Sequence, residues 1–171
     1  MRLTLTVAVG TLWAAPALAG QIDLGVEIPA LPVAEYHRPY VGIWVERPDA
    51  SVAAHLALWY DHDMAGDEGR TWLKDLRQWW RRIGRSLPPE AVDGASGPTR
   101  APGTHSVSFR AGDGPLPHLP AGDYVLVVEA AREVGGRELL RLPFRWPADG
   151  AASVEVAGEH ELGRITLAIS P

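Results

Sequence analysis

The chain has no cysteine, so histidine is its best ligand for a transition metal, and it has six. They are His37, His55, His62, His105, His118 and His160. No two stand at the HExxH spacing that sets two imidazoles on one helix face. A metal or haem would have to gather ligands from separate segments. His37 leads, because "EYHRPY" crowds Tyr36, Arg38 and Tyr40 around it. His55 and His105 fall in expected strands and complete a candidate metal set of His37, His55 and His105; His62 is a further possible member. Without a metal, the same histidine is a loop residue hydrogen-bonded to its neighbours. Arg38 and Tyr40 make this segment a candidate for a ligand or partner as well.

Oxygen chemistry is next. In "DHDMAGDEGR", Asp61, Asp63, Asp67 and Glu68 could hold Ca²⁺, and Gly66 is sixth from Asp61, as in an EF-hand loop. The fifth position is Ala65 and the twelfth is Trp72, so the bidentate glutamate is missing. The better reading is an acidic loop entering a helix N-terminus, where negative charge is favourable. Glu129 and Glu133 could form the paired carboxylates of a glycoside hydrolase, but nothing in their setting separates their roles. Ser96 lacks the nucleophile-elbow pattern.

"DGASGPTRAPGTHSVSF" (Asp93–Phe109) is rich in glycine and proline but is no phosphate loop. It lacks the G-x-x-x-x-G-K-[ST] spacing, its lysine and a following helix. Thr99 and Arg100 are the side chains in its middle able to meet a ligand or partner. The structural expectation for Arg100 is an inward tie to Glu129 or Glu133. Arg132 joins the candidate ligand- or partner-binding residues.

These residues need a scaffold. The chain fits one domain of ordinary globular composition, with 46% hydrophobic and 22% charged residues. A net charge of −5 gives no basic footprint for nucleic acid. Met1–Ala19 reads as a cleavable signal peptide: Arg2, an apolar run from Leu3 to Trp13, and Ala17-Leu18-Ala19 before the cut. The expected mature chain is a single domain, 20–171, periplasmic and not inserted in a membrane. It can form no disulfide.

Eight segments alternate with period two: Gln21–Ile28, Tyr40–Glu46, Ala54–Tyr60, Thr104–Arg110, Gly122–Glu133, Arg137–Trp146, Ala152–Ala157 and Arg164–Ser170. Tyr40–Glu46 and Gly122–Glu133 are apolar on both faces, as central strands are. Pro143 marks an edge or bulge, and "VGG" a Gly-Gly hairpin turn. Thr71–Ile83 instead keeps helical period, with Trp72, Leu76, Trp79, Trp80 and Ile83 on one face. Asp67 or Thr71 would cap it and Gly84 end it. Adjacent helix positions diverge by about 100°, so one of Trp79 and Trp80 should be partly exposed. The tryptophans are many enough for a carbohydrate- or flavin-stacking site, although most fall on expected core faces. The pattern predicts a mostly β fold: an antiparallel, Ig-like β-sandwich of about seven to eight strands, with one amphipathic crossover helix across an end or edge.

"YHRPYVGIWVE", "LALWY", "TWLKDLRQWWRR", "DGASGPTRAPGTHSVSF", "PAGDYVLVVEAARE" and "GRELLRLPFRW", in that order, resemble a family of predicted periplasmic proteins. It is the domain-of-unknown-function family numbered twenty-two seventy-one, and the resemblance runs from about Gln21 to Pro171. It implies a secreted β-sandwich whose genes lie near PepSY-type membrane proteins and flavin-transferase-like proteins, hence a setting in iron uptake or periplasmic redox. The family usually reads Gly-Ala-Thr-Arg where this chain has Pro98 before Thr99-Arg100. Proline removes a backbone donor there. "PAGDYVLVVEA" also resembles a strand of Ig-like secreted modules. The expected function is a non-enzymatic accessory or binding domain, serving a PepSY-type membrane protein. The alternative is a metal- or haem-binding protein using His37 and further histidines.

Overall fold

The computed structural model describes residues 20–64, 66, 68–88, 92 and 96–171. The signal-peptide reading of Met1–Ala19, and Asp67 as cap or calcium ligand, lie outside the described residues. Among the described residues nine strands form two sheets: β1 (Gln21–Ile28), β2 (Tyr40–Glu46), β3 (Val52–Trp59), β4 (Ser96–Gly97), β5 (Gly103–Arg110), β6 (Gly122–Ala131), β7 (Arg137–Trp146), β8 (Ala152–Ala157) and β9 (Arg164–Ser170). One sheet runs β5-β1-β9-β8 and the other β4-β3-β2-β6-β7. Every pairing is antiparallel except the two-residue contact of β3 with β4. That short β4 is the addition to the eight strands the alternation predicts.

The alternation sets the layers. Ile22, Leu24, Val26 and Ile28 of β1 point at Val41, Ile43 and Val45 of β2, and at Leu126 and Val128 of β6, in the core between the sheets. Strands β2 and β6 bury their other faces too. Trp44, Leu58 and Val127 pack against Leu73, Leu76, Trp79 and Ile83. The helical segment thus lies on the outer face of the five-stranded sheet, and not across an end or edge. Two doubly apolar strands require a cover on each side. Pro143 sits on β7, an edge strand, where no ladder partner misses its N–H.

The cover is not one helix. It runs α1 (Glu68–Thr71), a 3₁₀ turn (Trp72–Asp75), α2 (Arg77–Arg82) and a second 3₁₀ turn (Gly84–Ser86). The break is at Leu76, at φ −73° and ψ 75°. There the freed N–H groups of Gln78 and Trp79 donate to the fully buried carboxylate of Glu129 on β6, at 3.1 and 2.7 Å. Arg137 of β7 closes that carboxylate at 2.8 Å. A second buried carboxylate, Glu46 of β2, accepts from Trp44 Nε1 at 2.9 Å and pairs with Arg82 of α2 and Arg141 of β7. The break also changes the phase. Leu73 is buried and Trp72 is 42% exposed, the reverse of the periodic expectation for Trp72; Trp80 is the exposed member of the Trp79–Trp80 pair. Thr71 closes α1 and makes no capping bond, and Gly84 opens the second 3₁₀ turn.

Trp79 is the centre of this layer. Its ring lies over Gly42, where a Cβ would come within 2.9 Å of Cδ1, so only glycine lets the indole reach the sheet.

Candidate functional site

The loops at one end of the sandwich surround a cleft of about 470 Å³. The β1–β2 connection supplies Tyr36, His37 and Arg38, and the first residue of β2 supplies Tyr40. Asp61 and Met64 enter from the chain after β3, Trp72 and Asp75 from the 3₁₀ turn, and Thr99 from the loop after β4. Ala131, Arg132 and Glu133 come from the end of β6 and its hairpin. Thus His37, Arg38, Tyr40, Thr99 and Arg132, picked separately from the sequence, line one cavity. Met64, Trp72 and Asp75 were missed. The helical period placed Trp72 in the core, and only the break at Leu76 turns it out.

The polar groups differ in how far they are satisfied. Arg132 forks onto Glu161 through Nε at 2.8 Å and a terminal nitrogen at 3.1 Å, with both side chains buried. Glu161 also accepts from the Gly136 backbone at 2.7 Å, so Arg132 anchors the β6–β7 hairpin to the turn before β9. That hairpin does not turn on its glycines. Its left-handed residue is Val134 (φ 52°), while a Cβ at Gly136 would meet the Glu161 carboxylate at 2.8 Å. His37 stands between Glu35 at 3.1 Å and Glu133 at 3.4 Å, one on each ring nitrogen. Tyr40 donates only to the Met64 thioether at 3.8 Å, a weak acceptor. Burial pushes its phenol up to about 12 and raises that of Tyr36, so both hydroxyls stay donors at any physiological pH. Asp61 accepts from the Asp63 backbone at 3.0 Å, an Asx turn in place of an ion site. Arg38, Asp75 and Thr99 have no hydrogen-bond or ion-pair partner among the described residues.

The three metal candidates occupy three environments. His37 is in the cleft, while His55 on β3 accepts from Trp79 Nε1 at 3.0 Å under the helical layer. His105 on β5 bonds the Ala101 carbonyl at 2.7 Å and meets the Trp59 ring edge-on. His62 stacks on Tyr60 at 4.3 Å. Among the described residues no group of three His, Asp or Glu side chains could hold a metal ion. Arg100 does not tie to Glu129 or Glu133. Glu129 is filled by α2 and Arg137, Glu133 meets His37, and Arg100 lies 5.2 Å from the Trp59 ring centroid with its buried Nε unbonded. Glu129 is sealed under α2, so it cannot serve with Glu133 as a hydrolytic pair.

His55 gives a pH prediction. Burial drives its imidazole down to about 4 from its ordinary 6.5, against a smaller opposing hydrogen bond to the Ala57 backbone. The neutral ring is the form that can accept from Trp79. Above about pH 6.5 neither state binds the proton and stability is unaffected. Below that the unfolded chain binds it and the folded chain does not, until the folded ring titrates near 4. Stability therefore falls with acid across this window, approaching a loss of about 3 kcal/mol. Urea midpoints at stepped pH should decline less steeply for His55→Gln, which keeps an acceptor for Trp79. Parallel profiles would refute the assignment.

A family model described as "Predicted periplasmic protein (DUF2271)" matches residues 21–164. No curated protein matches the chain. No solved structure matches it. Among the described residues, no helix is long and apolar enough to cross a membrane.

Proposed function

We propose, for a chain that belongs to the DUF2271 family of predicted periplasmic proteins, the role of an exported, non-enzymatic binding domain whose end-of-sandwich cleft takes a small molecule. The observation that carries this reading is the cleft itself. Five segments bring aromatic walls and under-satisfied polar groups to one concavity, and its volume lies in the range typical of ligand sites. Loops on a rigid sandwich are also where binding residues concentrate. Among the described residues of the cleft, no nucleophile is paired with a base. The nearest acid–base contact, His37 with two exposed glutamates, is a surface clamp. The accessory role beside a PepSY-type membrane protein is the partner side of the same proposal: the domain would hold its ligand near the membrane reductase.

Native mass spectrometry of periplasmically produced protein tests the ligand side. A bound mass from periplasmic extract, lost on Trp72→Ala, is the expected result. Unliganded protein in every extract would overturn it. Recovery of a PepSY-type protein from membranes tests the partner side.

The metal or haem reading rests on His37 alone, since His55 and His105 are committed elsewhere. Elemental analysis of chelator-free protein beside His37→Ala would decide it, and stoichiometric metal lost in the variant would revive it.

A further inference from the structure

The cleft's chemistry narrows the class of its ligand, given the binding role proposed above. Among the described residues three carboxylates stand in the wall: Asp61, Asp75 and Glu133. The cations do not balance them freely. Arg132 is spent on buried Glu161, and the His37 ring faces two glutamates. Arg38 is the one cation of the wall without an ion pair among the described residues. An anionic ligand would meet more negative than positive charge. A small cationic ligand would suit the carboxylates but, lacking acceptors, would leave the Arg38 and Thr99 donors unpaired. A wholly apolar ligand would strand Asp75, Thr99 and Arg38 away from water without partners, which is costly. A neutral molecule bearing both donors and acceptors satisfies this wall.

The aromatic wall adds a shape. Trp72 is 42% exposed and belongs to the cleft, beside Tyr40, whose hydroxyl donates only to a thioether. An indole beside carboxylate acceptors and a guanidinium donor suits a ring with an aliphatic C–H face and a rim of hydroxyls. The C–H face lies on the indole, and vicinal hydroxyls bond a carboxylate in pairs. We propose that the cleft binds a neutral carbohydrate of one or two sugar rings, with Trp72 as the stacking platform, Asp75 and Asp61 accepting from its hydroxyls, and Arg38, Thr99 and Tyr40 donating to it.

Titration calorimetry of the full mature chain with glucose, galactose, N-acetylglucosamine, maltose and cellobiose tests this, with choline and citrate as the cationic and anionic comparisons. At least one sugar should bind. Trp72→Ala and Asp75→Asn should each weaken it by about tenfold or more while far-ultraviolet circular dichroism stays unchanged. Both residues are exposed, so neither variant should unfold the domain. The inference is overturned if no sugar binds, or if a sugar binds equally well to both variants. Native mass spectrometry separates the two failures. A non-sugar mass lost on Trp72→Ala sinks the ligand class and keeps the binding role. No bound mass and no calorimetric signal sinks both.

Discussion

Trp79→Ala should lower the unfolding free energy by about 3–5 kcal/mol, among the largest losses available in this chain. The indole is fully buried. It lies on Gly42, which has no side chain to extend, and against Trp44 and Leu58, which are fixed in β2 and β3. Its Nε1–H also satisfies His55, so the truncation removes the donor of a half-buried imidazole nitrogen. Trp79→Phe separates the terms. It keeps most of the volume and loses the hydrogen bond, and should cost about 1–2 kcal/mol. Urea unfolding measures both. A loss below about 1 kcal/mol for the alanine variant would mean that the helical layer is not packed on the sheet through this residue.

That residue also shows what the sequence could and could not disclose. The strands were legible because period two is imposed by the backbone, and β2 and β6 announced two covered faces by being apolar on both. The helical segment was legible as helical for the same kind of reason. Its interruption at Leu76 was not, because no proline or glycine marks it. The cause is Glu129, about fifty residues further along, whose carboxylate takes N–H groups that a continuous helix would bond internally. A tertiary partner overrides a local period, and the period alone then misplaces Trp72. The cleft was legible in part. "EYHRPY", Thr99 and Arg132 are local oddities of type and crowding, and the fold brings them together. Asp75 and Met64 carry no such mark. Arg100 was misread because a sequence pairs charges by sign, whereas the fold puts Glu129 under α2 and Arg100 beside Trp59. The histidine set failed to converge for the same reason: alternation says that His55 and His105 lie in strands, not that each already has a local partner.

Glu129→Ala should cost about 3–5 kcal/mol and should also weaken ligand binding in the cleft. The stability term follows from three orphaned partners. The Gln78 and Trp79 N–H groups lose their acceptor at the start of α2, and Arg137 loses its counter-ion. Arg137 is 37% exposed and can turn to water, so the orphaned donors and the cavity carry most of the loss. Glu129→Gln keeps one oxygen for the backbone and should lose about half as much. The binding term follows from position. Asp75 ends the 3₁₀ turn two residues before α2 begins, and Trp72 starts that turn. The carboxylate that pins the start of α2 therefore also fixes the wall bearing both cleft residues. Glu129→Ala should raise the dissociation constant without touching the ligand, under conditions where circular dichroism still reports a folded domain. Unchanged affinity in a destabilised variant would uncouple the cleft from the buried cap. Unchanged stability would remove the cap as the reason the helix breaks.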